Sequence, residues 1–164
     1  METLEQKLAE VRLRIAQAAE SVRRDPAGIT LLAVTKVFPA QVIRDAYALG
    51  LREFGENYVQ EFEGKLPEIR DLTGARFHLI GHLQTNKSSR AAELFQSIQT
   101  VDSAKLARRL NDTGKALDVM LEVKLSPPTG KMQITFGECA LEVGEPATRE
   151  AAVAAATTNA NPGE

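Results

Sequence analysis

The chain has 164 residues, 43% of them hydrophobic and 26% charged, a balance ordinary for one soluble globular domain with a sizeable core. Twenty basic against twenty-two acidic side chains leave a net charge of -2, so no global field draws nucleic acid or an anionic membrane to it. Cys139 is the single cysteine, which excludes an internal disulfide framework and any multi-cysteine zinc site.

The N-terminal stretch METLEQKLAEVRLRIAQAAESVRRD is charged throughout and lacks the apolar core of a signal peptide. No run in the chain approaches the ~20 apolar residues of a membrane helix, and with the lone cysteine this fits a soluble, unprocessed protein in a reducing, cytoplasmic setting. Leu4, Leu8, Val11, Ile15, Ala18 and Val22 recur at spacings of four and three, which predicts a helix ending near Arg24. The stripe is too short for a sustained coiled coil and is expected to pack on the body of the domain.

From there the chain alternates. An apolar run at 29–35 reads as a strand buried on both faces, and a helix begun by Pro39 and closed by Gly50 follows it. Leu51 to Gly55 is a second strand, and Asn57 to about Arg70 a helix with Val59, Phe62 and Leu66 on one side. Arg76 to Gly81 is a third strand, Lys87 to Phe95 a helix, and Ser97 to Val101 a fourth strand. Asp102 is the expected N-cap of a helix through Asn111, and Leu117 to Val123 is the fifth strand. Strands separated by helical segments imply right-handed βαβ units and a parallel sheet. About five such units, against the eight strands of a closed parallel barrel, leave an open doubly wound sheet or an incomplete barrel.

From Ser126 the character changes to adjacent prolines, one short β-compatible run from Ile134 to Phe136, an alanine-rich segment and a polar end. A weak further βα unit can be drawn there, and the last residues are expected to be disordered. The domain reading is therefore a body over 1–125 and a divergent, partly disordered tail over 126–164.

Ligands of α/β sheets bind at the carboxyl ends of the strands, where loops and helix N-termini converge. Three polar clusters fall on that rim: Thr35-Lys36, Gly55-Glu56-Asn57-Tyr58, and the seven residues from Gly81 to Lys87. On the third strand His78 shares a face with Ile80, one step below the rim, as a core histidine or a ligand contact. His78 and His82 have the spacing of a metal pair but no evident third ligand. Gly114-Lys115 and Gly130-Lys131 lack the rest of a P-loop, and no Gly-x-Ser-x-Gly elbow or oriented partner for Cys139 supports nucleophilic hydrolysis.

Lys36 ends an apolar strand just before a helix. A lysine in that place commonly lays its methylenes over apolar surface and solvates its ammonium. A lysine held at the mouth of an α/β site can also form a Schiff base with an aldehyde, of which pyridoxal 5′-phosphate is the common example. Spacing alone does not separate this from a salt bridge.

The segments AVTKVFPAQVIRDAYALGLREFGENYVQEFEGK and FHLIGHLQTNK, in this order and separation, closely resemble the pyridoxal-phosphate homeostasis proteins, also called the proline synthase co-transcribed family. These are relatives of the N-terminal barrel of alanine racemase, and the match covers about residues 1–125. The resemblance implies an α/β fold of the (β/α)8 TIM-barrel type, here incomplete, with about five to six strands. It implies that Lys36 carries pyridoxal 5′-phosphate as a Schiff base, with Asn57 and His78 facing the cofactor ring. It also implies a carrier or regulator of the cofactor with no catalytic residues. An amino-acid racemase, which needs a second acid/base on the opposite face of the ring, and an incomplete member that binds no cofactor are the alternatives.

The departure lies after LDVMLEVKLS, where family members continue with a Lys-x-Gly element, further βα units, and the Ser-Met-Gly-Met and Arg-x-Gly segments that cradle the phosphate. None of these stands in this sequence, which reads as a truncated or divergent member. Weak cofactor binding and self-association through an exposed sheet edge are the expected consequences.

Overall fold

The structure is a computed structural model that describes residues 2–122 and the strands at 132–136 and 139–143. The elements are α1 (Leu4–Ser21), β1 (Leu32–Val34), α2 (Ala40–Ala48), β2 (Glu53–Glu56), α3 (Val59–Ile69), β3 (Arg76–Leu79), α4 (Ser88–Leu94), β4 (Ser97–Val101), α5 (Ala104–Asn111), β5 (Asp118–Leu121), β6 (Met132–Phe136) and β7 (Cys139–Val143). The strand order of the parallel sheet is sequential, β1-β2-β3-β4-β5. A doubly wound sheet reverses direction at a switch point, and this one does not. Right-handed crossovers that always step the same way place their helices on one face, as successive units of a (β/α) barrel do. The fold is therefore α/β with five strands of the barrel type among the described residues.

The chain divides into two compact units, one of residues Met1–Glu56 and Gln60–Phe77, the other of Asn57–Val59 and His78 onward. In the first unit β1 pairs with β2 in the register Leu32 to Glu53, Ala33 to Phe54 and Val34 to Gly55. Pro39 is the N-cap of α2, and Gly50 closes that connection at a φ of +87°, a conformation that favours glycine. The buried core contains Ile43, Phe54, Phe62, Ile69 and Phe77, with the Phe77 ring 4.6 Å from Phe62 and 5.6 Å from Phe54.

Two expectations fail in this unit. β1 is not buried on both faces: Leu32 and Ala33 are half-buried and Val34 is exposed, because among the described residues β1 is an edge strand with β2 as its one neighbour in the sheet. The α1 stripe is also rotated. Leu4, Val11 and Val22 are exposed while Leu8 and Ala19 are buried. Leu8, Arg12, Ile15 and Ala19, spaced by four, three and four, share one face. Arg12 stands on that face because its guanidinium donates to the Leu49 carbonyl at the C-cap of α2, 3.3 Å away. A capping box between Thr3 and Gln6 starts the helix.

In the second unit β4 pairs in parallel with β3, through His78 to Ser97 and Leu79 to Ile98, and with β5, through Ser97 to Asp118 and Ile98 to Val119. Leu79, Ala91, Phe95, Ile98, Leu106 and Leu110 are buried. The N-cap of α5 is Ser103, one residue later than the sequence reading: its hydroxyl accepts from the Leu106 N–H at 3.3 Å. Ser103→Ala is accordingly expected to lower stability by about 1 kcal/mol in urea denaturation, and Asp102→Ala by less.

β6 and β7 form an antiparallel hairpin pairing Met132 with Val143 and Phe136 with Cys139, not a further βα unit. Two residues join them, and a parallel crossover needs a dozen or more. The remainder of the 126–164 tail lies outside the described residues.

Candidate functional site

The turn after β1 carries Lys36. Thr35 extends the β1 ladder one residue further by donating its N–H to the Gly55 carbonyl at 2.9 Å, and its side chain is buried. Lys36 itself is exposed, and among the described residues its ammonium has no hydrogen-bond or ion-pair partner. Val37 follows at a φ of +62°, in the left-handed region that a β-branched residue rarely enters. Such a conformation costs about 1–3 kcal/mol and persists where its surroundings over-determine it.

Those surroundings are a charged cluster beneath the turn. Glu56 at the end of β2 lies on the same strand face as Phe54, is fully buried, and accepts the Thr35 hydroxyl at 2.7 Å. The Lys65 ammonium, one and a half turns into α3, reaches both Glu56 oxygens at 2.9 Å and the Thr35 carbonyl at 3.0 Å. It also reaches Glu61 Oε1 at 2.8 Å, the i,i+4 partner on its own helix. Glu61 Oε1 in turn accepts the Val37 N–H at 2.6 Å. The Lys65 hydrogen bond, together with that of Val37, holds the Glu61 carboxyl below its ordinary range against the opposing effect of burial. A buried ion pair persists only when its remaining lone pairs and protons are bonded, and here the Thr35 hydroxyl and carbonyl do that.

The other two candidate residues belong to the second unit. Asn57 directly follows β2 and is half-buried, and its side-chain amide has no partner among the described residues. Its backbone is approached closely by Gly81: a Cβ built on Gly81 would stand 2.3 Å from the Asn57 carbonyl oxygen. The Thr100 hydroxyl donates to the Gly81 carbonyl at 2.7 Å and fixes that contact from β4. His78 is half-buried between buried Phe77 and Leu79, the alternation read from the sequence. The Gln99 amide nitrogen lies 3.1 Å from His78 Nδ1, a contact that ties the ring to β4.

His82 faces Asp102 at 3.4 Å, and no group of three or more potential metal ligands occurs among the described residues. No helix among these residues is long and apolar enough to cross a membrane.

Lys36, Asn57 and His78 each stand at the carboxyl end of a different strand. Asn57 and His78 share one compact unit and Lys36 lies in the other. Sequence reasoning places Glu56 and Gly81 only within polar rim clusters, without the roles found here, and missed Glu61 and Lys65. The signals for Glu56, Glu61 and Lys65 were the i,i+4 charge pair and a carboxylate two residues after a core phenylalanine.

No protein-family model matches the chain. It is 44% identical over 135 residues to the pyridoxal phosphate homeostasis protein of Pseudomonas aeruginosa, across 80% of this chain and 58% of that protein. It is 42% identical over 144 residues to the protein of the same name from Escherichia coli, across 84% of this chain and 62% of the relative. Over at least four fifths of its own length the chain is similar to these two pyridoxal phosphate homeostasis proteins. It spans 58–62% of the length of these two relatives. Among solved structures, PipY of Synechococcus elongatus, determined with PLP bound, is 43% identical with a TM-score of 0.57, over 69% of this chain and 56% of PipY. The amine to be explained is the one at the end of β1, which has no partner among the described residues.

Proposed function

We propose that the chain binds pyridoxal 5′-phosphate through Lys36 and serves as a cytoplasmic carrier in the homeostasis of that cofactor, rather than as a catalyst. The observation that carries this is the Lys36 amine, unpaired among the described residues and mounted on a turn whose neighbouring peptides are hydrogen-bonded to the buried Lys65 and the half-buried Glu61. The residues present suit the cofactor. A primary amine stands exposed at a strand end, without a partner among the described residues. When bound, the cofactor supplies an aldehyde that condenses with a primary amine as a Schiff base, with release of water. PipY, solved with PLP bound, supports the same reading.

A carrier is favoured over a racemase because racemisation needs an acid/base on the second face of the ring. Of the two tyrosines, Tyr47 is engaged in the fold, its hydroxyl donating to the Thr73 carbonyl at 2.6 Å and its ring lying under the Arg52 guanidinium at 3.8 Å. The relatives are also named for homeostasis, not for a reaction. Association of copies through an open edge of the sheet belongs to this reading.

The test is absorbance on adding pyridoxal 5′-phosphate to the wild type and to Lys36→Ala. A saturable visible band in the first and its loss in the second are expected. An unchanged band in the variant would remove Lys36 from the site, and saturable, Lys36-dependent racemisation of alanine or serine would favour the enzyme.

A further inference from the structure

We propose that Glu61 and Lys65 of α3 are positioning residues for Lys36: they grip the two peptide groups on either side of it and so set the direction in which its amine leaves the turn. This rests on the role proposed for Lys36. The carbonyl of the Thr35–Lys36 peptide accepts from Lys65 Nζ at 3.0 Å, and the N–H of the Lys36–Val37 peptide donates to Glu61 Oε1 at 2.6 Å. Both side chains come from one helix, and Lys65 ties them together at 2.8 Å. Lys36 thus combines a backbone gripped on both sides with an exposed side chain that has no partner among the described residues.

Structural support alone does not explain Glu61. Lys65 already has both oxygens of the buried Glu56 carboxylate, so a second carboxylate adds negative charge that the ion pair does not need. What Glu61 adds is an acceptor for Val37, the residue whose positive φ turns the chain immediately after Lys36. Glu61 lies on the more accessible side of the cluster, its side chain 26% exposed where that of Glu56 is 0% exposed, so it can be changed without uncovering the buried pair. Fixing a reactive side chain's backbone before a ligand arrives removes an ordering cost from binding.

The experiment compares full-length wild type, Glu61→Ala and Glu61→Gln by three readouts. These are hydrogen exchange of the Val37 amide, the rate at which a small acylating reagent modifies Lys36 without cofactor, and affinity for pyridoxal 5′-phosphate from the visible band. Glu61→Ala is expected to speed Val37 exchange and to weaken cofactor affinity by about tenfold each, the consequence of losing one charge-assisted hydrogen bond. It is also expected to change the acylation rate of Lys36, with little change in the melting temperature. Glu61→Gln keeps an oxygen for the Val37 N–H and is expected to restore all three.

Exchange at Val37 unchanged in Glu61→Ala would overturn the grip. Faster exchange with wild-type acylation and wild-type affinity would overturn the positioning role. If the wild type gives no band at all, the cofactor reading fails, and the exchange and acylation readouts decide the positioning role alone.

Discussion

Lys65→Met is expected to lower the stability of the protein by about 3–5 kcal/mol in urea denaturation at neutral pH, the range for removing one partner of a buried ion pair. Glu56 is fully buried and Lys65 is 7% exposed, so no solvent replaces the lost ammonium. The stranded carboxylate keeps the Thr35 hydroxyl at 2.7 Å and loses its only cation among the described residues. It then carries the cost of an unpaired buried charge. The double variant Glu56→Gln with Lys65→Met removes the charge itself and is expected to recover a large part of the loss. A double variant no more stable than Lys65→Met would mean that the loss comes from the packing of the Lys65 methylenes and not from charge.

Gly81→Ala is the second large effect. The new methyl group would stand 2.3 Å from the Asn57 carbonyl oxygen, 2.8 Å from its Cα and 2.9 Å from its carbonyl carbon, all backbone atoms that no rotamer change can move aside. The Thr100 hydroxyl bond to the Gly81 carbonyl resists retreat of the loop from the other side. We expect a loss of about 3 kcal/mol, the upper end of ordinary overpacking, read as a fall of about 6–12 °C in Tm for a chain of this size. Asn57 shifts with the clash, so cofactor affinity is expected to fall as well. Gly64→Ala is the matched control: a Cβ there meets nothing within 4 Å, and alanine within α3 is expected to raise stability by about 0.5–1 kcal/mol. Equal melting temperatures for the two variants would contradict the close approach.

The alternation of strands and helices was legible because each element carries its own local signal. Ser97–Val101 is a strand with the bounds its apolar run predicts, and Pro39 with Gly50 brackets α2 as proline and glycine should. What depended on partners distant in sequence was not legible. Arg12 reads as a solvent-facing charge until the Leu49 carbonyl that it caps is known, and for that reason the α1 face came out rotated. Ser103 and Asp102 are both good caps, and only backbone geometry chooses between them.

At the site, Lys36 stood out as a charge ending an apolar run. The cluster below it did not: Glu56 reads only as part of a polar rim, and Glu61 and Lys65 look like ordinary surface charges of a helix. Their burial follows from Glu56 sharing a strand face with Phe54 and from Lys65 reaching back across a helix turn. The left-handed Val37 had no signal at all, since nothing about a valine announces a positive φ.

The role of Lys36 is tested most directly by incubating the full chain with pyridoxal 5′-phosphate, reducing with borohydride, digesting and mapping the modified lysine by mass spectrometry. One dominant pyridoxyl adduct is expected, on Lys36, saturating with cofactor concentration and absent from Lys36→Ala. Modification spread over exposed lysines such as Lys7, Lys105 and Lys115, with Lys36 no more labelled than they are, would contradict it.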